Sequence, residues 1–400
     1  MKILVAHLGS NWVNMCGGVE RVTCNLVNAL VARGHEVSII YRDWCEGEPY
    51  FPLDKRVKQY NILFKNGSKV ISERLPNHLR ILREAARLFS QKAAQGINAK
   101  YKGRQYGSAI RSFLDSCKPD IIISCTAPTA KYLIDDAKTN IPIIEMMHSH
   151  PENQLPLLSK QELKAVSRCS VLQILLPSGI PVVKRFCPGL PTCVIGNAVM
   201  PAAGSAKPGI KKDSHIISCV GTLNANKSQK LLAEVFASLA DEYRNWNLEL
   251  WGNDRTLYAR EMKKWVKRQG LEHRILFGGN THHVDDVYAR SDIFCLLSKA
   301  EGFGLAVAEA MEAGIPVIGC ENCAGVNEII QNRDTGFLVK RSTPAIAAAL
   351  RKLMDNPQLR ETMGQCGKHY IEKEYNPDKI WNQWEKLIKD TAYKKATKMR

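Results

Sequence analysis

The chain has 400 residues, 45% of them hydrophobic and 24% charged, which is ample for a large core and more than one domain ordinarily holds. Thirteen cysteines scattered through apolar runs, as at Cys125, Cys219 and Cys295, argue against a disulfide framework and fit reduced thiols in a cytoplasmic protein. The formal net charge is +17, and the segment from Lys55 to Lys118 holds 15 Lys or Arg against 3 Asp or Glu, which suits anionic lipid, nucleic acid, an acidic substrate or simply a solvated face.

Short runs of Ile, Val and Leu alternate with helical periodicity, the pattern of parallel strands covered on both faces, so the fold class is α/β. No run approaches the roughly twenty apolar residues of a membrane span, and the opening MKILVAHLGSNW reads as a first strand rather than a signal peptide. The strands predicted in the first half are Lys2 to Leu8, Glu36 to Tyr41, Asp120 to Cys125, Ile141 to Met147, Val171 to Leu176 and Thr192 to Ile195. Between the second and third, Leu75 to Phe89 interleaves Leu79, Ile81, Leu82, Leu88 and Phe89 with Arg74, Arg80, Arg83 and Arg87, as interfacial amphipathic helices do. The polar stretch from Asn197 to Ser214, centred on PAAGSAKPG, has the composition of an interdomain connection. The strand series then restarts: His215 to Val220, Leu248 to Trp251, Arg274 to Phe277, Ile293 to Leu297, Pro316 to Gly319 and Gly336 to Val339. Two domains follow, 1–196 and 197–376. A last helix, 377–395, carries Ile380, Trp381, Trp384, Leu387 and Ile388 at helical spacing and must bury one face, with the first domain as a target. The basic tail TAYKKATKMR is expected to fray.

Open parallel sheets bind ligands beyond the carboxyl ends of their strands, and four unusual polar clusters fall there: CGGVER, HSHPEN, GTLNANK and EGFGL. In the last, Gly302 and Gly304 let a phosphate approach the backbone at the start of a helix, whose free amides and partial positive charge favour anions. Glu301 before that helix and Glu309 two turns into it can hydrogen-bond hydroxyls at two ends of one ligand; the plainer alternative is an acidic helix start with a solvated Glu. Gly17 and Gly18 either admit a phosphate or sugar to the backbone or form an ordinary helix start, which Glu20 and Arg21 cap and solvate. An isolated His is more often structural, but His148 and His150, followed by Pro151, Glu152 and Asn153, make a loop hard to justify by packing. Thr281 to His283 reads as a helix cap. Cys320 and Cys323 lack a second ligand pair for zinc, and the carboxylate pairs in IDDAK and VDDVY are adjacent rather than Asp-x-Asp. No G-x-G-x-x-G follows the first strand, which disfavours a nicotinamide-dependent dehydrogenase.

Taken together, GGVER, the mid-domain His, Gly-Thr-Leu followed by Lys, and EGFGL with GIPVI resemble glycosyltransferase family 4 over nearly the whole chain, with Glu301 and Glu309 matching its E-x7-E signature. The resemblance implies two Rossmann-like domains facing across a cleft (the GT-B architecture) and retaining transfer from a nucleotide sugar, with UDP the usual nucleotide. It implies that Glu309 contacts the ribose hydroxyls and Glu301 those of the transferred sugar. Phe303, Gly304 and Leu305 then offer backbone amides, Gly221 and Thr222 line the donor site, and Lys227 neutralises the departing diphosphate. His148 then stands beside the reacting sugar carbon, with His150 as a reserve on the acceptor side. The chain departs from the family at Thr222, where an arginine is usual; Arg255 is a candidate replacement, while Lys230 points away from Lys227. The expected reaction uses no cofactor and no divalent metal. Its acceptor is a glycan or lipid-linked saccharide met at the inner face of the cell membrane, through the basic region 55–118, and nucleic acid is not expected as a partner. The alternative is a catalytically idle binder of sugar nucleotides or nucleic acid on the same scaffold.

Overall fold

A computed structural model of the chain describes residues 1–398, with side chains throughout except at 92, 93, 95, 99 and 394–398. It divides into two compact units: Met1–Ile195 together with the residues from Trp381 onward, and Gly196–Ile380.

The first unit is built on seven strands: β1 (Lys2–His7), β2 (Glu36–Tyr41), β3 (Lys58–Asn61), β4 (Ile121–Ser124), β5 (Ile143–Met146), β6 (Val171–Ile174) and β7 (Thr192–Val194). Their order is β3-β2-β1-β4-β5-β6-β7, and every pairing is parallel, with Ile3 opposite Val37 on one side and Ile121 on the other. Ile3, Leu4, Val5 and Ala6 are all buried, because helices cover both faces of the sheet. Strand β3 escapes sequence reading because KQYN has no apolar run; it is an edge strand whose burial is mostly partial.

The second unit repeats the plan with β8 (His215–Val220), β9 (Trp246–Trp251), β10 (Ile275–Gly279), β11 (Ile293–Leu296), β12 (Val317–Cys320) and β13 (Gly336–Val339), again all parallel, in the order β10-β9-β8-β11-β12-β13. Each sheet therefore reverses its winding beside its first strand, between β1 and β4 and between β8 and β11. Such a switch point opens a crevice between the loops that follow the two strands.

Two expectations are corrected. The polar stretch 197–214 starts at the expected boundary but is held within the second unit rather than linking the two: Ala206 N donates to Ala313 O at 2.8 Å, and the buried Arg360 donates to Pro208 O at 2.6 Å. The C-terminal helix, Pro377–Lys398, continues through most of the tail expected to fray, while Met399 and Arg400 lie outside the described residues. From Trp381 on it is part of the first unit, burying Trp381, Trp384 and Ile388 and bringing Glu385 within 3.5 Å of His35. The arginine-rich amphipathic stretch does form a helix, Asn77–Phe89, and none of its residues is buried; Leu88 and Phe89 are 85% and 91% exposed.

Candidate functional site

In the second unit, the loops after β8 and β11 form one bonded assembly. Gly221 ends the ladder of β8 at φ +150°, a backbone conformation that favours glycine, and the stem of Lys227 lies in van der Waals range of it, 3.4 Å from where a Cβ would stand. Asn224 Oδ1 accepts from the backbone N–H of Asn226 and Lys227, each at 3.0 Å, and turns the chain toward the helix Gln229–Leu239. Lys299 N then donates to Asn226 O at 2.7 Å, and Asn226 Nδ2 to Ala300 O at 2.9 Å, tying this loop to the one carrying Glu301. Across the junction Lys227 Nζ meets Glu301 Oε1 at 2.6 Å, both side chains largely enclosed.

Gly304, at φ +83°, caps the helix Leu305–Glu312 without any side-chain acceptor on its first amides. Its left-handed backbone and the 3.1 Å that would separate a Cβ from Val326 both call for glycine. Phe303 is buried edge-on against Tyr375, with ring centroids 4.9 Å apart, so its contribution to a ligand is its backbone alone. Glu309, one helical face further on, accepts from Tyr288 Oη at 3.0 Å. Thus Gly221, Thr222, Lys227, Glu301, Phe303, Gly304, Leu305 and Glu309 all stand at the carboxyl end of one sheet around its switch point. An anion reaching this end meets an ammonium and a helix start, and a hydroxylated ligand meets two carboxylates.

Three residues here were hidden in the sequence. Arg341, two positions beyond β13, donates to Leu297 O and, at 2.6 Å, to Ser298 O, clasping the loop that leads to Glu301. Gly252 is required because a Cβ would stand 2.3 Å from Gly221 O. Tyr288 orients Glu309 from a separate helix. Only the Arg341 signal, a basic residue just past a strand's carboxyl end, was available before folding. Arg255 is exposed, and Lys230 Nζ lies 3.9 Å from its own helix neighbour Glu234. His283 is the N-cap residue of the helix Val284–Arg290, without a side-chain capping bond, and Thr281 Oγ1 accepts from its N–H at 2.9 Å.

In the first unit, Gly17 precedes the helix Gly18–Ala32, and a Cβ on it would be 2.3 Å from Glu20 Oε2; Gly18 has open space around its Cα. Glu20 is not the solvated residue expected. It is buried, 3.6 Å from His7 Nε2, and burial raises its carboxyl above the usual range. Desolvation pushes His7 down to about 4, and pushes the half-buried His148, past the end of β5, to about 3 with His7 as a second cause. Both imidazoles are therefore neutral, and the enclosed His148 Nε2 has no hydrogen-bond partner. His150 is otherwise engaged: Nδ1 accepts from Glu152 N at 3.3 Å and Nε2 pairs with Ser178 Oγ at 2.9 Å, so its ring serves the local turn and not an acceptor. Asp43 Oδ2 accepts from Trp12 N and Val13 N at 2.7 and 2.8 Å, pinning the loop between β1 and the Gly17 turn. Asp135 and Asp136 are spent on Arg168 and Lys131.

Residues 16–173 match the family described as Glycosyltransferase Family 4, and residues 203–370 that described as Glycosyl transferases group 1. An uncharacterized glycosyltransferase of Haemophilus influenzae is 23% identical over 94% of this chain and 97% of its own. Sucrose-phosphate synthase from Thermosynechococcus elongatus superposes with a TM-score of 0.77 at 17% identity, over 97% of this chain and 98% of that one. Anabaena HepE, solved in complex with UDP and glucose, gives 0.70 at 16% identity over 97% and 99%.

Proposed function

We propose, since the chain belongs to the family 4 type of glycosyltransferase with the GT-B fold, that it transfers a sugar with retention from a nucleotide diphosphate, UDP by preference, to a glycan or lipid-linked acceptor in the synthesis of surface polysaccharide, lipopolysaccharide or another glycoconjugate. The observation that carries the reading is the Lys227–Glu301 pair, 2.6 Å apart beside the uncapped start of the helix at Leu305, with Glu309 further along it. Preference for UDP is supported by the UDP held in the HepE structure.

On this reading the diphosphate lies against the helix start and Lys227, Glu309 receives the ribose hydroxyls, and Glu301 receives those of the sugar. The bond from the anomeric carbon to the diphosphate oxygen breaks as the acceptor oxygen bonds the same face of that carbon. The acceptor proton passes to the departing phosphate, so no protein nucleophile is used. Charge develops on the leaving group, where Lys227 and the backbone amides already stand, and fixed charge placed there lowers the barrier most. His148, neutral and with an unpartnered Nε2, is suited to a hydrogen bond with a ligand rather than to supplying a proton. No divalent ion or cofactor has a part, and nucleotide release is expected to survive chelator unchanged.

The acceptor is met at the inner, cytoplasmic face of the membrane. The exposed Ile81, Leu82, Leu88 and Phe89 and the neighbouring arginines support this, as does a cavity of about 330 Å³ lined by Glu73, Arg74, Leu75, Arg80, Arg83 and Asn98. No described helix is long and apolar enough to cross a membrane. The test is a screen of nucleotide sugars for nucleotide release with membrane lipid extract, Glu301→Ala serving as control. Thr222 in place of arginine favours a second reading, an idle sugar-nucleotide binder: it requires that UDP bind while no donor is turned over.

A further inference from the structure

At the end of β8 the residue after Gly221 is the uncharged Thr222, so Lys227 has no companion cation in its own loop. We propose that Arg341 is that companion, the second fixed cation of the leaving-group site delivered from a different loop; this rests on the donor-site reading above. Four features support the assignment. Arg341 Nη1 and Nη2 donate to the carbonyls of Leu297 and Ser298, which directly follow β11 at the switch point, with longer contacts of 3.4 Å to Ser228 Oγ and Asn322 Oδ1. Ser228 directly follows Lys227, so the guanidinium stands beside the ammonium's own loop. Among the described residues no carboxylate comes within salt-bridge distance of Arg341, whereas Lys227 faces Glu301, Lys230 faces Glu234 and Arg290 faces Glu249. No carboxylate therefore neutralises its charge as Glu301 does that of Lys227. Lastly, the guanidinium is held by rigid backbone carbonyls, so it needs no rearrangement when negative charge arrives, while the exposed Arg255 has no such anchorage.

The same clasp fixes the segment 297–301, so Arg341 acts on the reaction twice, through its field and by positioning Glu301. This separates it from an ordinary structural arginine, because a charge restored elsewhere in the site should repair much of its loss.

The experiment titrates the full chain with UDP, GDP and ADP and with the matching monophosphates by calorimetry, and follows nucleotide release from donor. Wild type, Arg341→Gln, Arg341→Lys and Arg341→Gln with Thr222→Arg are compared, each with its melting curve. The expected result is that Arg341→Gln narrows the preference for diphosphate over monophosphate by tenfold or more and slows release at least as much. Arg341→Lys should lie between, and adding Thr222→Arg should restore most of both quantities. An unchanged diphosphate preference in Arg341→Gln overturns the proposal. So does a loss that tracks the melting temperature, affects both nucleotides alike and is not repaired by Thr222→Arg. If wild type prefers no diphosphate at all, the donor-site reading itself fails and Arg341 falls with it, an outcome distinct from the other two.

Discussion

At the scale of single residues, the Lys227–Glu301 contact joins two groups separated by 74 positions in the chain and enclosed enough that neither is simply solvated. Removing one leaves the other without its partner and deprives the donor of a contact that matters most as charge develops. Glu301→Gln and Lys227→Ala are each expected to lower nucleotide release by about 10²-fold or more, the scale on which lost transition-state donors are felt. The double variant should be little worse than either alone, because residues acting as a unit are not additive; steady-state rates on all three variants check this. Much of this constellation was legible in sequence, since Glu301, Gly304 and Glu309 fall within one short motif and Lys227 follows a recognisable strand end. Arg341, Tyr288 and the His7–Glu20 pair were not, because each meets its partner only once separate strands and helices are folded side by side.

The buried titratable groups of the first unit make a second residue-scale prediction. His7 and His148 sit at about 4 and 3 in place of the ordinary 6.5, so below pH 6.5 the unfolded chain takes up protons that the folded chain refuses. Stability contributed by these two is whole above pH 6.5 and declines as the pH falls toward 4. Glu145 has the opposite sign: burial raises its carboxyl to about 8 from 4.5, so its contribution is whole below pH 4.5 and declines as pH rises to 8. Melting temperatures measured from pH 4 to 8 should fall at both ends, with His7→Asn flattening the acid limb and Glu145→Gln, isosteric with the protonated acid, flattening the alkaline one.

Among the elements, strands were the most readable and the helix Asn77–Phe89 the most informative. Core strands announce themselves because both faces are covered, leaving continuous Ile and Val runs; β3, at the edge, needs no such run and gave no signal. For the helix, sequence showed amphipathicity but not whether a fold would absorb its apolar side, and in the structure that side stays out of the core. Replacing Ile81, Leu88 and Phe89 with Ser should therefore leave the melting temperature nearly unchanged, since no packing is lost. The same variant should abolish sedimentation with vesicles containing phosphatidylglycerol, while nucleotide release with a water-soluble acceptor persists. Sedimentation equal to wild type would remove the helix from any membrane role.

At the scale of the whole molecule, the repeat of the strand series showed two Rossmann-like units, but composition misled about their junction. A Gly- and Pro-containing stretch resembles a linker whether it swings free or is held by buried groups, and here Arg360 and the backbone of Ala313 hold it within the second unit. The last helix is the complementary case: its periodicity demanded a buried face, the first domain was the expected target, and from Trp381 on the helix belongs to the first unit. Trp384 is 3% exposed there, and truncating a buried tryptophan costs about 3–5 kcal/mol through lost contacts and the cavity left behind. Trp384→Ser should thus lower the melting transition of the first unit while that of the second stays in place. Calorimetry would then resolve two transitions, and UDP affinity measured below both would match wild type. A single transition that moves as one, with UDP affinity falling alongside, would instead mean that the C-terminal helix couples the stability of both units, and that the donor site depends on a residue of the first.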